Sequence, residues 1–172
     1  MRMRTLPTVL TAVAALLAGL SMTGSASASA ESQRSAFAAE AKAAGLTTSQ
    51  AAELQAEVDS VLAQQPGTRQ IGANKLSMPG GTLTLPAPGS LGAALACDNG
   101  HLCITDGQGK NYDYYYCGYY DFWGIGNGTF NNNQTWGTRA RFYNENGSER
   151  WSNVAKDTGT ASWTPVYHIR PC

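Results

Sequence analysis

Between Thr138 and Tyr143 the chain alternates: Thr138, Ala140 and Phe142 fall on one side, Arg139, Arg141 and Tyr143 on the other. A period of two predicts a strand with one buried and one wet face. Ahead of it, Asn131, Asn132 and Asn133 predict a loop whose side-chain amides satisfy its own backbone, turning at Gly137. After it, Asn146-Gly147 predicts a hairpin turn, because Asn-Gly accommodates positive backbone angles. Further strands are predicted near His101 to Asp106, Tyr112 to Cys117, Arg150 to Val154 and Pro165 to Arg170. Short strands punctuated by turns indicate an all-β sandwich or barrel. A faint repeat runs through this region: Asp106-Gly107 before a Tyr-rich strand parallels Asn146-Gly147 before the strand from Arg150, and each half later reaches Gly-Thr, at Gly128 and Gly159. The intervals are 21 residues (107 to 128) and 12 residues (147 to 159), which predicts about nine extra residues within Gly118 to Gly126.

Upstream the period changes. Ser35 to Ala44 predicts a weak helix ended by Gly45; Thr47 with Gln50 predicts a capping box that opens a second. Leu54, Val58, Val61 and Leu62 form the apolar stripe of that helix, and Pro66-Gly67 stops it. Strand-like runs at Gln70 to Leu76 and Thr82 to Leu85 follow, separated by Met78-Pro79-Gly80-Gly81, and Pro86-Ala87-Pro88-Gly89 predicts a linker.

Composition divides the chain near Cys97. Of 16 aromatic residues, 15 lie at or beyond that position, together with all four cysteines. Aromatics supply much of a small core's buried area, so residues 31–96 predict a helical pro-segment or spacer with a linker, and residues 97–172 a domain with its own core. Residues 97–172 carry six Lys/Arg against seven Asp/Glu, which speaks against electrostatic capture of nucleic acid or anionic lipid. Met1 to Ala30 has the form of a secretory signal peptide: Arg2 and Arg4, an apolar run from Leu6 to Leu20, then Ala28-Ser29-Ala30, with Ala26-Ser27-Ala28 as a second cleavage site. The apolar run is too short for a membrane anchor. The expected destination is extracellular, with no membrane association after cleavage, and there Cys97, Cys103, Cys117 and Cys172 predict two disulfides in one of three connectivities.

Several motifs together resemble a known family. They are Cys97-Asp-Asn-Gly-His-Leu-Cys103 leading into a strand; Asn132-Asn133-Gln134-Thr135 followed by Gly137-Thr138 and Ala140-Arg-Phe-Tyr; and Trp163-Thr-Pro-Val running on to Cys172. Ahead of them stand Ala44-Gly-Leu-Thr-Thr-Ser-Gln50, Asn74-Lys75 and Pro88-Gly89. In this order they resemble the secreted metalloproteinase-inhibitor-like proteins of actinobacteria. The resemblance implies a βγ-crystallin-like double Greek-key domain over residues 97–172, disulfide-stapled and preceded by a small α-helical leader. It also implies pairing of Cys97 with Cys103 and hence of Cys117 with Cys172, and inhibition of an extracellular protease, a metalloprotease, by loop blocking of the active-site cleft. The chain departs from the family in having no second short Cys-to-Cys spacing, so the resemblance assigns no inhibitory loop.

The residues themselves offer one. Tyr119, Tyr120, Asp121, Phe122 and Trp123 follow Gly118 in an expected loop tethered at Cys117. Exposed Tyr and Trp anchor protein partners, and Asp121 supplies a carboxylate for a protease's zinc. The same rings suit stacking on sugars, so the alternative is a binding or toxin-like module that engages cell-wall glycan; packing of a barrel short of aliphatic residues is the structural reading. Catalytic chemistry is thinly provided. Four paired cysteines leave no thiol nucleophile, His101 and His168 are the two imidazoles, His168 reads as a surface residue, and no zinc-ligand spacing or phosphate-cradling Gly loop occurs. A non-enzyme without a cofactor is expected. Asn131 to Thr135 fits five of the six positions of a crystallin-type calcium stretch, but Trp136 takes the sixth and no carboxylate is present. Asn127, Asn133 and Asn146 begin glycosylation triplets that are expected to stay bare.

Overall fold

The computed structural model describes residues 24–90, 92–94 and 96–172. Most of the expected signal peptide lies outside the described residues. The first element is helix α1 (Gly24–Ala43), which begins ahead of the expected Ser35 and spans both expected cleavage points. Helix α2 (Thr48–Gln64) starts as its sequence dictates: the Thr47 hydroxyl accepts from the Gln50 amide at 3.2 Å and the Gln50 side chain accepts from the Thr47 amide at 3.0 Å. These bonds satisfy two N-terminal donors that the helix cannot pair internally. Leu54, Val58 and Val61 are buried, and Leu62 packs beside them.

Strands β1 (Arg69–Gln70), β2 (Lys75–Met78) and β3 (Gly81–Thr84) form an antiparallel meander. Eight more follow: β4 (Leu102–Thr105), β5 (Asn111–Tyr114), β6 (Tyr120–Asp121), β7 (Asn127–Asn132), β8 (Arg139–Tyr143), β9 (Glu149–Val154), β10 (Asp157–Ser162) and β11 (His168–Arg170). The protein is thus predominantly β, with two helices and two disulfides among the described residues. One sheet has the order β1-β2-β3-β5-β4-β7-β10 and the other β6-β11-β8-β9.

Within these sheets β4 to β7 and β8 to β11 are paired alike. In each half the first strand lies between the second and the fourth, and the third strand crosses to the other sheet to pair with the fourth strand of the other half. The exchange is closed by matching bonds. Phe122, just past β6, donates its amide to Tyr167 O at 2.8 Å, and Trp163, just past β10, donates to Gly126 O at 2.7 Å. Each acceptor immediately precedes a fourth strand, and both donor and acceptor recur at 41 residues (122 to 163, 126 to 167). The expected repeat is therefore real, but its Gly-Thr landmarks are not equivalent: Gly128 lies on the fourth strand of one half and Gly159 on the third strand of the other. The nine-residue excess inferred from them is no insertion. What these glycines share is a close approach. A Cβ at Gly128 would lie 2.0 Å from Thr105 O, and one at Gly159 would lie 2.9 Å from the Phe130 ring.

The core runs across residue 97. Leu54, Val58, Val61, Leu76, Leu83 and Leu85 belong to the same buried cluster as Leu102, Ile104, Tyr112, Phe142 and Trp163. β3 pairs with β5 along its whole length, from Gly81 opposite Tyr114 to Thr84 opposite Asn111. The change in aromatic content at Cys97 marks a change in composition, while sheet and core continue through it. Tolerance of this pairing is narrow, since a Cβ at Gly81 would lie 1.8 Å from Asp113 O.

The predicted strand over Thr138 to Tyr143 has the expected sidedness, with Ala140 and Phe142 fully buried. The Asn cluster differs from expectation. Asn131 and Asn132 belong to β7, and Asn132 is buried, donating to Asn153 at 2.6 Å and accepting from Gln134 at 2.9 Å. Gln134 also donates to Pro171 O, tying β7 to the C-terminal end. Asn is depleted in strands on average, and here a closed polar network overrides that preference. Asp106 plays a comparable part in the β4–β5 turn, accepting the amides of Gln108 and Lys110 at 2.9 Å each and that of Ile125 at 3.3 Å. Its burial, outweighing these donors and the Lys110 charge, pushes its pKa up. Asp106→Ala is expected to cost about 2 kcal/mol or more in chemical denaturation by stranding those amides.

Candidate functional site

Tyr119 to Trp123 is held as an extended segment at the edge of the four-stranded sheet rather than as a free loop. Cys117, two residues before it, is bonded to Cys172; the other bridge joins Cys97 to Cys103. Its side chains alternate. Tyr119, Asp121 and Trp123 are exposed, Tyr120 is half-buried and Phe122 is buried. This separates five residues expected to act together. Phe122 meets Tyr112 at a ring distance of 4.9 Å and Trp163 edge-on at 5.5 Å, so it belongs to the core and cannot present its ring to a partner. The reason is its place beside the strand exchange, equivalent to Trp163. Tyr120 packs over Gly80, where a Cβ would lie 2.5 Å from its ring, and its hydroxyl donates to Cys117 O at 3.0 Å and Tyr116 O at 3.2 Å.

The outward row is braced. The Tyr119 ring lies against His168 and Tyr143, at 5.1 Å from each. Asp121 Oδ1 is 2.9 Å from His168 Nδ1. The sequence placed His168 on the surface with no role; the register of β6 against β11, His168 opposite Asp121, brings it into the row. That register depends on a two-residue strand pairing with one 47 residues away, which alternation within either segment does not reveal. In antiparallel pairs, bonded and non-bonded positions alternate. Phe122 is bonded to the residue before β11, so the peptide groups of Asp121 point away from β11, toward the open edge.

Beside this row lies a cavity of about 190 Å3 that the sequence did not signal, because its other wall comes from residues 65–79. Gln65, Thr68 and Pro79 face Tyr112, Tyr114, Tyr120 and Trp123 across it. Burial pushes the pKa of Tyr112 and Tyr114 well up, and desolvation with Tyr143 and Asp121 nearby raises that of Tyr119. All three stay neutral phenols, able to donate and accept. A second His–Asp contact, His101 Nδ1 to Asp113 Oδ1 at 2.7 Å, stands apart on the seven-stranded sheet, beside the Tyr115 ring. Neither imidazole is placed beside a cysteine thiol, since all four cysteines are paired.

Comparison of the chain with protein-family models, curated proteins and solved structures finds no match to any of them. Among the described residues no helix is long and apolar enough to cross a membrane, and the two disulfides suit an oxidising, extracellular setting.

Proposed function

We propose that the protein is a secreted, non-catalytic inhibitor of an extracellular metalloprotease, with a βγ-crystallin-like double Greek-key fold like that of the actinobacterial inhibitors its motifs resemble. The fold reading is supported by the exchange of third strands between two equivalent halves.

The functional reading rests on one internal comparison. Tyr119, Asp121 and Trp123 have their counterparts, 41 residues on, in Thr160, Ser162 and Thr164, which are exposed as well. The fold therefore does not require aromatic rings at these positions, since its other half carries small polar residues there. Two rings flanking a carboxylate on a braced, extended edge suit the cleft of a protease, which binds extended peptides. A rigid segment loses little conformational entropy on docking, and the outward peptide groups of Asp121 can pair with the cleft's backbone. His168 holds one oxygen of Asp121 and so orients the carboxylate, as outer-shell partners orient metal ligands. Tyr119 and Trp123 fill the apolar subsites.

Inhibition of a thermolysin-like enzyme by the purified chain tests this. Tyr119→Ala and Trp123→Ala are each expected to weaken inhibition by roughly 1 to 3 kcal/mol, the range of interface anchors, with little change in melting temperature. Asp121→Asn should weaken it again by removing the zinc ligand. Phe122→Ala should act differently, lowering stability by about 3 kcal/mol. Absence of inhibition across a panel of metalloproteases refutes the proposal.

A further inference from the structure

β3 ends at Thr84 and β4 begins at Leu102, so residues 85 to 101 join them as 17 residues without helix or strand. No other connection between the described elements is as long. Connections beyond about 12–15 residues with no secondary structure are uncommon in compact domains, and where they occur they are functional or linkers. Both ends of this one are fixed. Leu85 is 1% exposed; its amide donates to Asn74 O and its carbonyl accepts from Asn74 Nδ2, each at 2.9 Å. Cys97 is bonded to Cys103, and its carbonyl accepts from Asn133 Nδ2 at 2.9 Å. Neither anchor uses a residue of the stretch between them.

That stretch, residues 86–96, is held more loosely. Ala87, Gly89, Ser90, Ala93, Ala94 and Ala96 are exposed. Its described bonds are a local turn, in which Ser90 donates to Ala87 O from its amide at 3.0 Å and its hydroxyl at 2.7 Å, and a side-chain contact from Asn111 Nδ2 to Ala93 O at 3.2 Å. Neither sheet includes it. Proteases cut where the chain opens locally, at exposed segments of small residues. Fully extended, residues 86–96 span about 36 Å, enough to be drawn into a cleft while Leu85 and Cys97 stay in place. We propose that residues 86–96 are a processing site for an extracellular endoprotease that accepts small side chains, and that the cut leaves a two-chain protein instead of releasing the leader. Water adds across one peptide bond, leaving a carboxylate on the leader and an ammonium group on the remainder, both on exposed chain. The pieces stay joined through the β3–β5 pairing, from Gly81 opposite Tyr114 to Thr84 opposite Asn111, and through Leu54, Val58, Leu76 and Leu83 in the shared core. Composition predicts a detachable leader; the anchors at Leu85 and Cys97 retain it after the cut.

Limited digestion of the full-length secreted protein with subtilisin and, separately, with elastase tests this. Mass spectrometry and amino-terminal sequencing should place the first internal cut between positions 86 and 97. Neither disulfide crosses that cut, since one joins Cys97 to Cys103 and the other Cys117 to Cys172, so a non-reducing denaturing gel should show two bands. Without denaturant the two pieces should elute together at the size of the uncut chain. The melting temperature should rise with protein concentration after the cut and be independent of it before, because unfolding of the cut form separates two chains. A first cut elsewhere, resistance of residues 86–96 at protease levels that degrade the urea-unfolded chain, or separation of the pieces at micromolar concentration without denaturant overturns the proposal. None of these readouts involves the Tyr119–Asp121–Trp123 row, so the processing site and the inhibitor reading fail separately.

Discussion

Removal of residues 31–96 is expected to abolish cooperative unfolding of the remaining 76 residues (97 to 172), even with both disulfides formed. The truncation takes away six buried aliphatic side chains: Leu54, Val58, Val61, Leu76, Leu83 and Leu85. At about 1.5 to 3 kcal/mol for each buried side chain, the loss is roughly 9 to 18 kcal/mol, comparable to the whole stability of an ordinary domain at about 5 to 15 kcal/mol. It also uncovers the backbone edge of β5, which β3 pairs along four residues, and an open edge invites aggregation. Circular dichroism of the oxidised fragment should show no sigmoidal melt, and a refolding yield well below that of the longer chain. A sharp melt with native near-ultraviolet signal from the fragment alone would show that the leader's side chains are dispensable.

Cys117→Ser is expected to be the next most damaging change, and more so than Cys103→Ser. The bond to Cys172 spans 55 positions and the bond from Cys97 to Cys103 spans 6. On the chain-entropy account the longer closure restricts the unfolded chain by about 4 kcal/mol and the shorter by roughly 2.4 kcal/mol. The longer bond also joins the approach to β6 to the end of the chain beyond β11, so its loss loosens the pairing that aligns Asp121 with His168. Urea titrations of the two variants should give midpoints in that order, and inhibition should fall with Cys117→Ser beyond what the lost stability alone explains. Equal midpoints for the two variants would contradict this.

The candidate site was legible in its composition and not in its division of labour. Eight aromatics between Tyr112 and Trp123 announce either a core or a contact surface, and the segment proves to mix buried rings with exposed ones. Phe122 and Trp123 are adjacent and chemically alike, yet one is 5% exposed and the other 44%. Alternation from Tyr119 would assign sides only once the segment is known to be extended, and a two-residue strand leaves too short a pattern to show it. What identifies Phe122 as core is its correspondence with Trp163 in the other half, and that correspondence is seen through two backbone bonds, not through residue identity.

Local chemistry was enough for much of the rest. The capping box at Thr47 and Gln50, the stripe Leu54–Val58–Val61, the sidedness of Ala140 and Phe142, and the turn at Asn146-Gly147 follow from interactions among neighbours in sequence, and each stands as read. Long-range matters were out of reach for a physical reason. The third strands β6 and β10 carry too few apolar positions to form a periodic signal, and they are stabilised by partners supplied by the opposite half. β7 contains Asn131 and Asn132, whose preference for loops is overcome by partners at Cys103, Asn153 and Gln134. The leader looked separable because its aliphatic side chains differ from the aromatic ones downstream, although burial rewards apolar area of either kind. Periodicity reports which face of an element is apolar; which other element covers that face depends on packing between residues far apart in the chain, and here that packing joined the two compositions into one core.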